Sequence, residues 1–292
     1  MRAPALRAVA ELVRLPAVLS VPGDVLVGAA ASGQARDVPR AAGLAAASSC
    51  LYLAGMALND YADREVDAVE RPARPIPSGR VTPGFALGLA GGLTAASAAL
   101  AVAADGPRAL KVLGPLAATV WAYDLALKET PAAVSGMSAC RALDVLMGSG
   151  AHGARAALPS AAVVGAHIGV TTTVSRSEVQ GATARLPRAA LAATAGVAAG
   201  ATALAASRGS ATRTLAAAGL VGAYAAAVGR AHADAARDPS PARLQRAVAT
   251  SVLGLMPLEA GLLAGAGALV PAGGVAALWP LARGLARRRS VT

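Results

Sequence analysis

Long apolar runs alternate with short polar stretches from Val18 to Ala286. A membrane-crossing helix needs roughly 20 predominantly apolar residues. By that measure the chain holds spans at about 16–33, 41–59, 83–104, 109–127, 133–152, 158–175, 188–207, 211–230 and 247–282. The last run is long enough for one span plus a re-entrant segment, or for two short spans. The pattern predicts an all-α, polytopic membrane bundle of about nine transmembrane helices, forming one domain over residues 1–292. Three polar stretches interrupt it most visibly: Asn59–Thr82, Ser175–Pro187 and Asp234–Arg246.

Composition removes the soluble alternative. Of 292 residues, 55% are hydrophobic and 15% charged, with mean hydropathy +0.53. That is too little charge to cover a soluble surface. The apolar mass is Ala, Val, Leu and Gly, and small residues let lipid-embedded helices approach closely. The net charge of +11 does not point to nucleic acid here, because Arg and Lys distribute unequally between the two sides of a membrane. With a cytoplasmic N-terminus, the cytoplasmic segments carry Arg2, Arg7, Arg14, Arg64, Arg71, Arg74, Arg80, Lys128, Arg176, Arg185, Arg188, Arg230, Arg237, Arg243 and Arg246. They outnumber Arg36, Arg40, Arg108, Lys111, Arg155, Arg208 and Arg213 on the other side. The expectation is a multi-pass protein of the plasma or inner membrane, with the N-terminus and the 59–82 loop cytoplasmic. Arg283, Arg287, Arg288 and Arg289 oppose this: nine spans put them outside, unless the last run crosses twice. The N-terminal segment reads as an amphipathic lead-in rather than a cleaved signal peptide. Cys50 and Cys140 lie in apolar runs and read as small buried hydrophobes. The three histidines form no zinc pattern with them.

The chemistry concentrates after the second span. Five of the sixteen acids fall between Asp60 and Glu70. On a helix Asp60, Asp63 and Asp67 stand at i, i+3 and i+7, on one face. Such a stripe beside a membrane needs a positive partner. Mg²⁺ suits it, taking oxygen ligands from one or two carboxylates and sharing the rest of its shell with water and phosphate. Downstream, Arg71, Arg74 and Arg80 stand in a Pro-rich loop, and arginine forks match phosphate oxygens. The alternative reading is a solvated helix end whose acids pair with Arg64, Arg71 and Arg74.

Asn59-Asp60-x-x-Asp63-x-x-x-Asp67, followed by Arg71 and Arg74-Pro75-x-x-Ser78-Gly79, resembles the first aspartate motif of the UbiA superfamily of intramembrane prenyltransferases. Pro22-Gly23-Asp24, and Tyr123 with Lys128, extend the resemblance more weakly along the chain. It implies a nine-helix bundle with a central cavity open to lipid. There Mg²⁺ and the aspartates hold a prenyl diphosphate, and the prenyl group passes to a lipophilic or aromatic acceptor. The resemblance makes Asp60, Asp63 and Asp67 the metal ligands and catalytic acids. Asn59, Arg71, Arg74, Lys128, Arg141, Asp144, Arg176 and Glu178 become substrate-binding candidates. The family's second aspartate motif is replaced by Thr173–Val179, with one acid, Glu178, and a basic Arg176. Arg176 suits direct contact with phosphate. Tyr123 to Pro131, Cys140 to Asp144, Ser175 to Glu178 and Pro257 to Ala260 resemble a divergent, EboC-like branch.

Arg141 and Asp144 stand at i and i+3 inside an apolar run, either facing a cavity or neutralising each other. Asp24 and Glu259 have the same two readings; His152 and His167 read as structural. Tyr52, Tyr61, Trp121 and Tyr123 are the aromatics available to shield an allylic cation. Two rival functions are a non-catalytic UbiA-like protein that binds or translocates a lipid or metabolite, and an ion-coupled transporter. The acidic segment has no second copy, which counts against the transporter.

Overall fold

The computed structural model describes residues 5–14, 18 and 21–288, with side chains to 284. It is helical throughout these residues: α1 (Leu6–Leu12), α2 (Pro22–Ala31), α3 (Val38–Ala62), α4 (Arg64–Glu70), α5 (Pro83–Asp105), α6 (Leu110–Ala122), α7 (Ala133–Ser175), α8 (Arg185–Ala206), α9 (Ala211–Arg237), α10 (Pro241–Gly265) and α11 (Leu269–Arg288). A π-helical turn, Tyr123–Leu127, continues α6.

Helix starts follow local signals. The Asp37 carboxylate accepts from the Arg40 amide at 3.2 Å ahead of α3. The Thr82 hydroxyl accepts from the Phe85 amide at 3.2 Å ahead of α5. Each leaves one fewer orphan donor at a helix start, and Pro39 and Pro83 occupy first-turn positions where no amide is missed.

The 43 residues of α7 would reach about 65 Å if straight, twice a bilayer's hydrocarbon core. They do not run straight. Gly150 has φ 65° and ψ 172°, a conformation open to glycine alone, and the chain folds back there. A Cβ at Gly165 would meet the Ser138 carbonyl at 3.3 Å, and one at Gly169 the Ser138 hydroxyl at 2.9 Å. The two arms are therefore antiparallel, matching the expected spans 133–152 and 158–175. The first arm crosses α2 at backbone contact: a Cβ at Gly28 would strike the Val145 carbonyl, and one at Gly148 the Val25 carbonyl.

Among the described residues, seven helices are long and apolar enough to cross a membrane. Counting both arms of α7 brings the bundle near the expected nine. Of the expected first span, 16–33, α2 covers Pro22–Ala31, ten residues, and residues 15–17, 19 and 20 lie outside those described. The expected last run, 247–282, divides into α10 and α11 at Gly267 (φ 83°). Residue 254, 261 and 265 glycines let α10 sink against α8 and α9, and its second half is buried continuously from Gly254 to Gly265.

Contacts sort the loops into two ends. At one, Arg40 binds Asp105 at 2.5 Å and the Gly148 carbonyl at 3.1 Å. At the other, the acidic segment, the end of α6 and the end of α7 meet. The Ala182 amide donates to Pro239 there at 3.2 Å, which puts the start of α10 at this end. α11 packs back along α10, so Arg283 joins Arg243 and Arg246 in one depression. The last run thus doubles back and brings Arg283 to the acidic end; the side chains of Arg287 and Arg288, and Arg289 as a whole, lie outside the described residues.

Candidate active site

α3 does not carry the acid stripe unbroken. It ends at Ala62, and Asp63 is at once its C-cap and the N-cap of α4. Asp60 and Asp67 still face a common centre, 3% and 2% exposed. Arg74 Nη1 sits between them, 3.3 Å from Asp60 Oδ1 and 2.6 Å from Asp67 Oδ2. Arg71 approaches Asp67 at 3.8 Å. Asp63 turns aside and pairs with Lys128.

The loop that carries Arg74 is held in shape. The Ser78 hydroxyl donates to the Arg74 carbonyl at 2.7 Å, and the Val81 amide to Pro75 at 2.9 Å. Ile76 and Val81 pack with Leu58 and with Leu12 of α1. Arg80 binds both oxygens of Glu11, at 2.6 and 3.0 Å. Those bonds hold the Glu11 carboxyl below the usual carboxylate range. The lead-in helix is thereby docked over the motif. It delivers Arg14 Nη2 to Asp60 Oδ1 at 3.0 Å and to Asn59 Oδ1 at 3.4 Å.

The π-turn builds the facing wall. Its Lys128 amide donates to Tyr123 O at 3.0 Å, five residues back, and such turns insert one residue into a helix. Asp124 is buried there and accepts from Asn59 Nδ2 at 3.3 Å, while Lys128 reaches Asp63. From the end of α7, Arg176 Nη1 donates to the Lys128 carbonyl at 2.9 Å. Glu178 is half-buried; burial raises its carboxyl, and the positive Arg71 opposes the rise.

The structure therefore brings together Asn59, Asp60, Asp63, Asp67, Arg71, Arg74, Lys128, Arg176 and Glu178. It sets Arg141 and Asp144 apart. Tyr52, which lines a cavity of about 60 Å³ with Arg141 and Asp144, precedes Asp60 by two helical turns on α3, about 12 Å. Arg141 Nη2 lies 2.8 Å from Asp24 Oδ2 and 3.9 Å from Glu259 Oε1. Asp144 Oδ1 accepts from Ser48 at 2.6 Å. Arg141 is thus neutralised by acids from two other helices, as charge inside a bilayer requires. His167 is a structural hub, bonded to Tyr224 and the Ser251 carbonyl at 3.0 Å each.

Arg14 and Asp124 are site residues that the motif did not name. Asp124 had a signal of its own, an acid inside an apolar run. Arg14 had none beyond its charge.

Among the described residues, no three His, Cys, Asp or Glu side chains converge as a metal site. Two carboxylates do converge, on the nitrogen of Arg74. Mg²⁺ accepts two carboxylate donors and takes the rest of its shell from water and phosphate, so the donor set of Asp60 and Asp67 suits that ion in the place Arg74 now takes. Asp63 adds to them only when Lys128 lets it go.

A family profile, the UbiA prenyltransferase family, matches residues 23–247. Digeranylgeranylglyceryl phosphate synthase of Ignicoccus hospitalis is 40% identical over 134 residues, 43% of this chain and 40% of that protein. The enzyme of the same name from Methanopyrus kandleri is 38% identical over 127 residues, 43% of this chain and 46% of that one. The matched region thus spans less than half the length of either relative. Among solved structures, one of a digeranylgeranylglyceryl phosphate synthase superposes with a TM-score of 0.65 at 14% identity, covering 89% of this chain and 98% of the other. The apo UbiA homologue of Aeropyrum pernix K1 superposes at 0.62 with 20% identity, covering 85% and 97%. At those identities the likeness is one of fold. With the profile covering most of its length, this multi-pass membrane protein belongs to the UbiA prenyltransferase family.

Proposed function

We propose that the chain is a Mg²⁺-dependent prenyltransferase that moves a prenyl group from its diphosphate to a lipophilic acceptor. One observation carries the reading: two buried carboxylates converge on Arg74, with Arg14 and Arg71 beside them, Lys128 on the neighbouring Asp63 and Arg176 on the Lys128 carbonyl. Acids alone would repel a diphosphate, and cations alone would need no acids. The combination suits a diphosphate that arrives with a divalent cation.

Asp60 and Asp67 would hold Mg²⁺, with Asp63 available as a further ligand. The ion supplies charge neutralisation of the leaving diphosphate. Arg74 and Lys128, released from the carboxylates, would turn to the diphosphate oxygens, with Arg71 and Arg176 beside them. The bond between the prenyl C1 and its diphosphate oxygen breaks, an acceptor atom bonds to C1, and the acceptor's proton departs. The apolar bundle would keep water from the allylic cation, with Tyr123 of the π-turn the aromatic of the facing wall. The relatives' name describes a glyceryl phosphate bearing two geranylgeranyl groups. A prenylated glyceryl phosphate is therefore the acceptor class to test first, ahead of an aromatic one. The distribution of Arg and Lys, with Arg283 at the acidic end, supports a cytoplasmic site.

Membranes containing the protein, given geranylgeranyl diphosphate, Mg²⁺ and geranylgeranylglyceryl phosphate, should form the doubly prenylated product by mass spectrometry. Asp67→Asn should reduce the rate at least a hundredfold. A second reading, binding without turnover, draws on the single acid in 173–179. Tight Mg²⁺-dependent binding with no product from either acceptor class would favour it and overturn the enzyme reading.

A further inference from the structure

Away from the acids, the same end of the bundle carries a second concentration of charge. α9, α10 and α11 enclose two adjoining depressions of about 330 and 460 Å³, which share Ala227, Arg246, Thr250, Trp279 and Arg283. None of their lining residues comes from α3, α4 or α7, the helices that hold the motif acids.

The depressions grade from polar to apolar. The polar part brings together Arg230, Arg243, Arg246 and Arg283 against one lining acid, Asp234. Asp234 is already engaged by Arg237 at 3.0 Å, and Asp238 lies 3.5 Å from Arg243. Arg283 stacks over the Trp279 ring at 5.2 Å. The apolar part continues along the helices past Ala249 and Leu253. The charged residues lie toward the helix ends, where Arg sits at a membrane's interface, while Ala249, Leu253 and Trp279 lie deeper along α10 and α11.

We propose that this depression binds an anionic glycerophospholipid. Guanidinium forks would grip its phosphate, and an acyl chain would follow the apolar groove. Four arginines around one acid disfavour a headgroup carrying its own ammonium. Basic pockets between transmembrane helices are suited to anionic headgroups on these grounds. The proposal is independent of the prenyltransferase reading.

The test uses the full chain, purified in detergent, with phosphatidylglycerol or phosphatidylcholine added and lipid adducts read by native mass spectrometry. Phosphatidylglycerol should be retained at least tenfold more than phosphatidylcholine. Arg243→Gln/Arg246→Gln/Arg283→Gln should abolish that preference. Ala249→Trp keeps every arginine and fills the apolar groove from an exposed position; it should lower phosphatidylglycerol retention as well. Equal retention of the two lipids would overturn the proposal. So would an unchanged preference in a folded triple variant or in Ala249→Trp, or displacement of the lipid by millimolar inorganic phosphate.

Discussion

Arg74 is the residue on which the motif turns. Its guanidinium lies between Asp60 and Asp67, both nearly inaccessible to water. Removing one partner of a buried pair costs about 3 kcal/mol or more, because the charges left behind have no water to turn to. Arg74→Ala should therefore lower thermal stability in metal-free buffer, and Mg²⁺ should restore much of the loss by taking the place between the carboxylates. An equal loss with and without Mg²⁺ would show that the acids do not receive the ion. Arg71 and the motif acids were legible in the sequence because their spacing and charge are local; Lys128, 65 residues from Asp63, was named through the family resemblance. Asp124 was visible as an acid in an apolar run, but its direction was not, because a π-turn rather than a regular helix aims it at Asn59. Arg141 was legible as a buried charge but not in depth: only the packing of α2 and α10 beside it shows that Asp24 and Glu259 hold it.

At the scale of elements, hydrophobic runs marked the crossing segments well, because a span is a length of apolar sequence. They placed the reversal of α7 between 152 and 158, but did not single out Gly150, with φ 65°, as the residue at which the chain folds back amid Ala, Gly and Ser. A Cβ there would also meet Arg40 Nη2 at 2.5 Å and Asp105 Oδ2 at 2.8 Å. Gly150→Ala should cost about 1–2 kcal/mol from the backbone alone, with the displaced Arg40–Asp105 pair adding to it. Unfolding measured in nanodiscs checks this, and an unchanged midpoint would contradict the reversal. α1 holds a similar lesson. Its charges read as a lead-in, whereas buried Leu12 and the Glu11–Arg80 pair dock it over the site.

Across the whole molecule, the tail's arginines conflicted with a nine-span count. The division of the last run into α10 and α11 answers this for Arg283, which reaches the acidic end, while the side chains of Arg287, Arg288 and Arg289 lie outside those described. With Cys50 and Cys140 replaced by Ala, single cysteines at Ser78 and Arg283 should react with an impermeant reagent from one side of sealed vesicles. A cysteine at Ser207 should react from the other. Labelling of positions 283 and 207 from the same side would contradict this arrangement. The family was legible from one short motif. The relatives reported above are named digeranylgeranylglyceryl phosphate synthases.

The central claim is that the acids and the cations beside them form one diphosphate site. Its most direct measure is binding of geranylgeranyl diphosphate to the protein in nanodiscs, with and without Mg²⁺, for the native chain and for Asp60→Asn/Asp67→Asn. The account predicts micromolar binding that needs Mg²⁺ and weakens at least a hundredfold, about 3 kcal/mol, in the double variant. Binding indifferent to both the ion and the substitutions would contradict it.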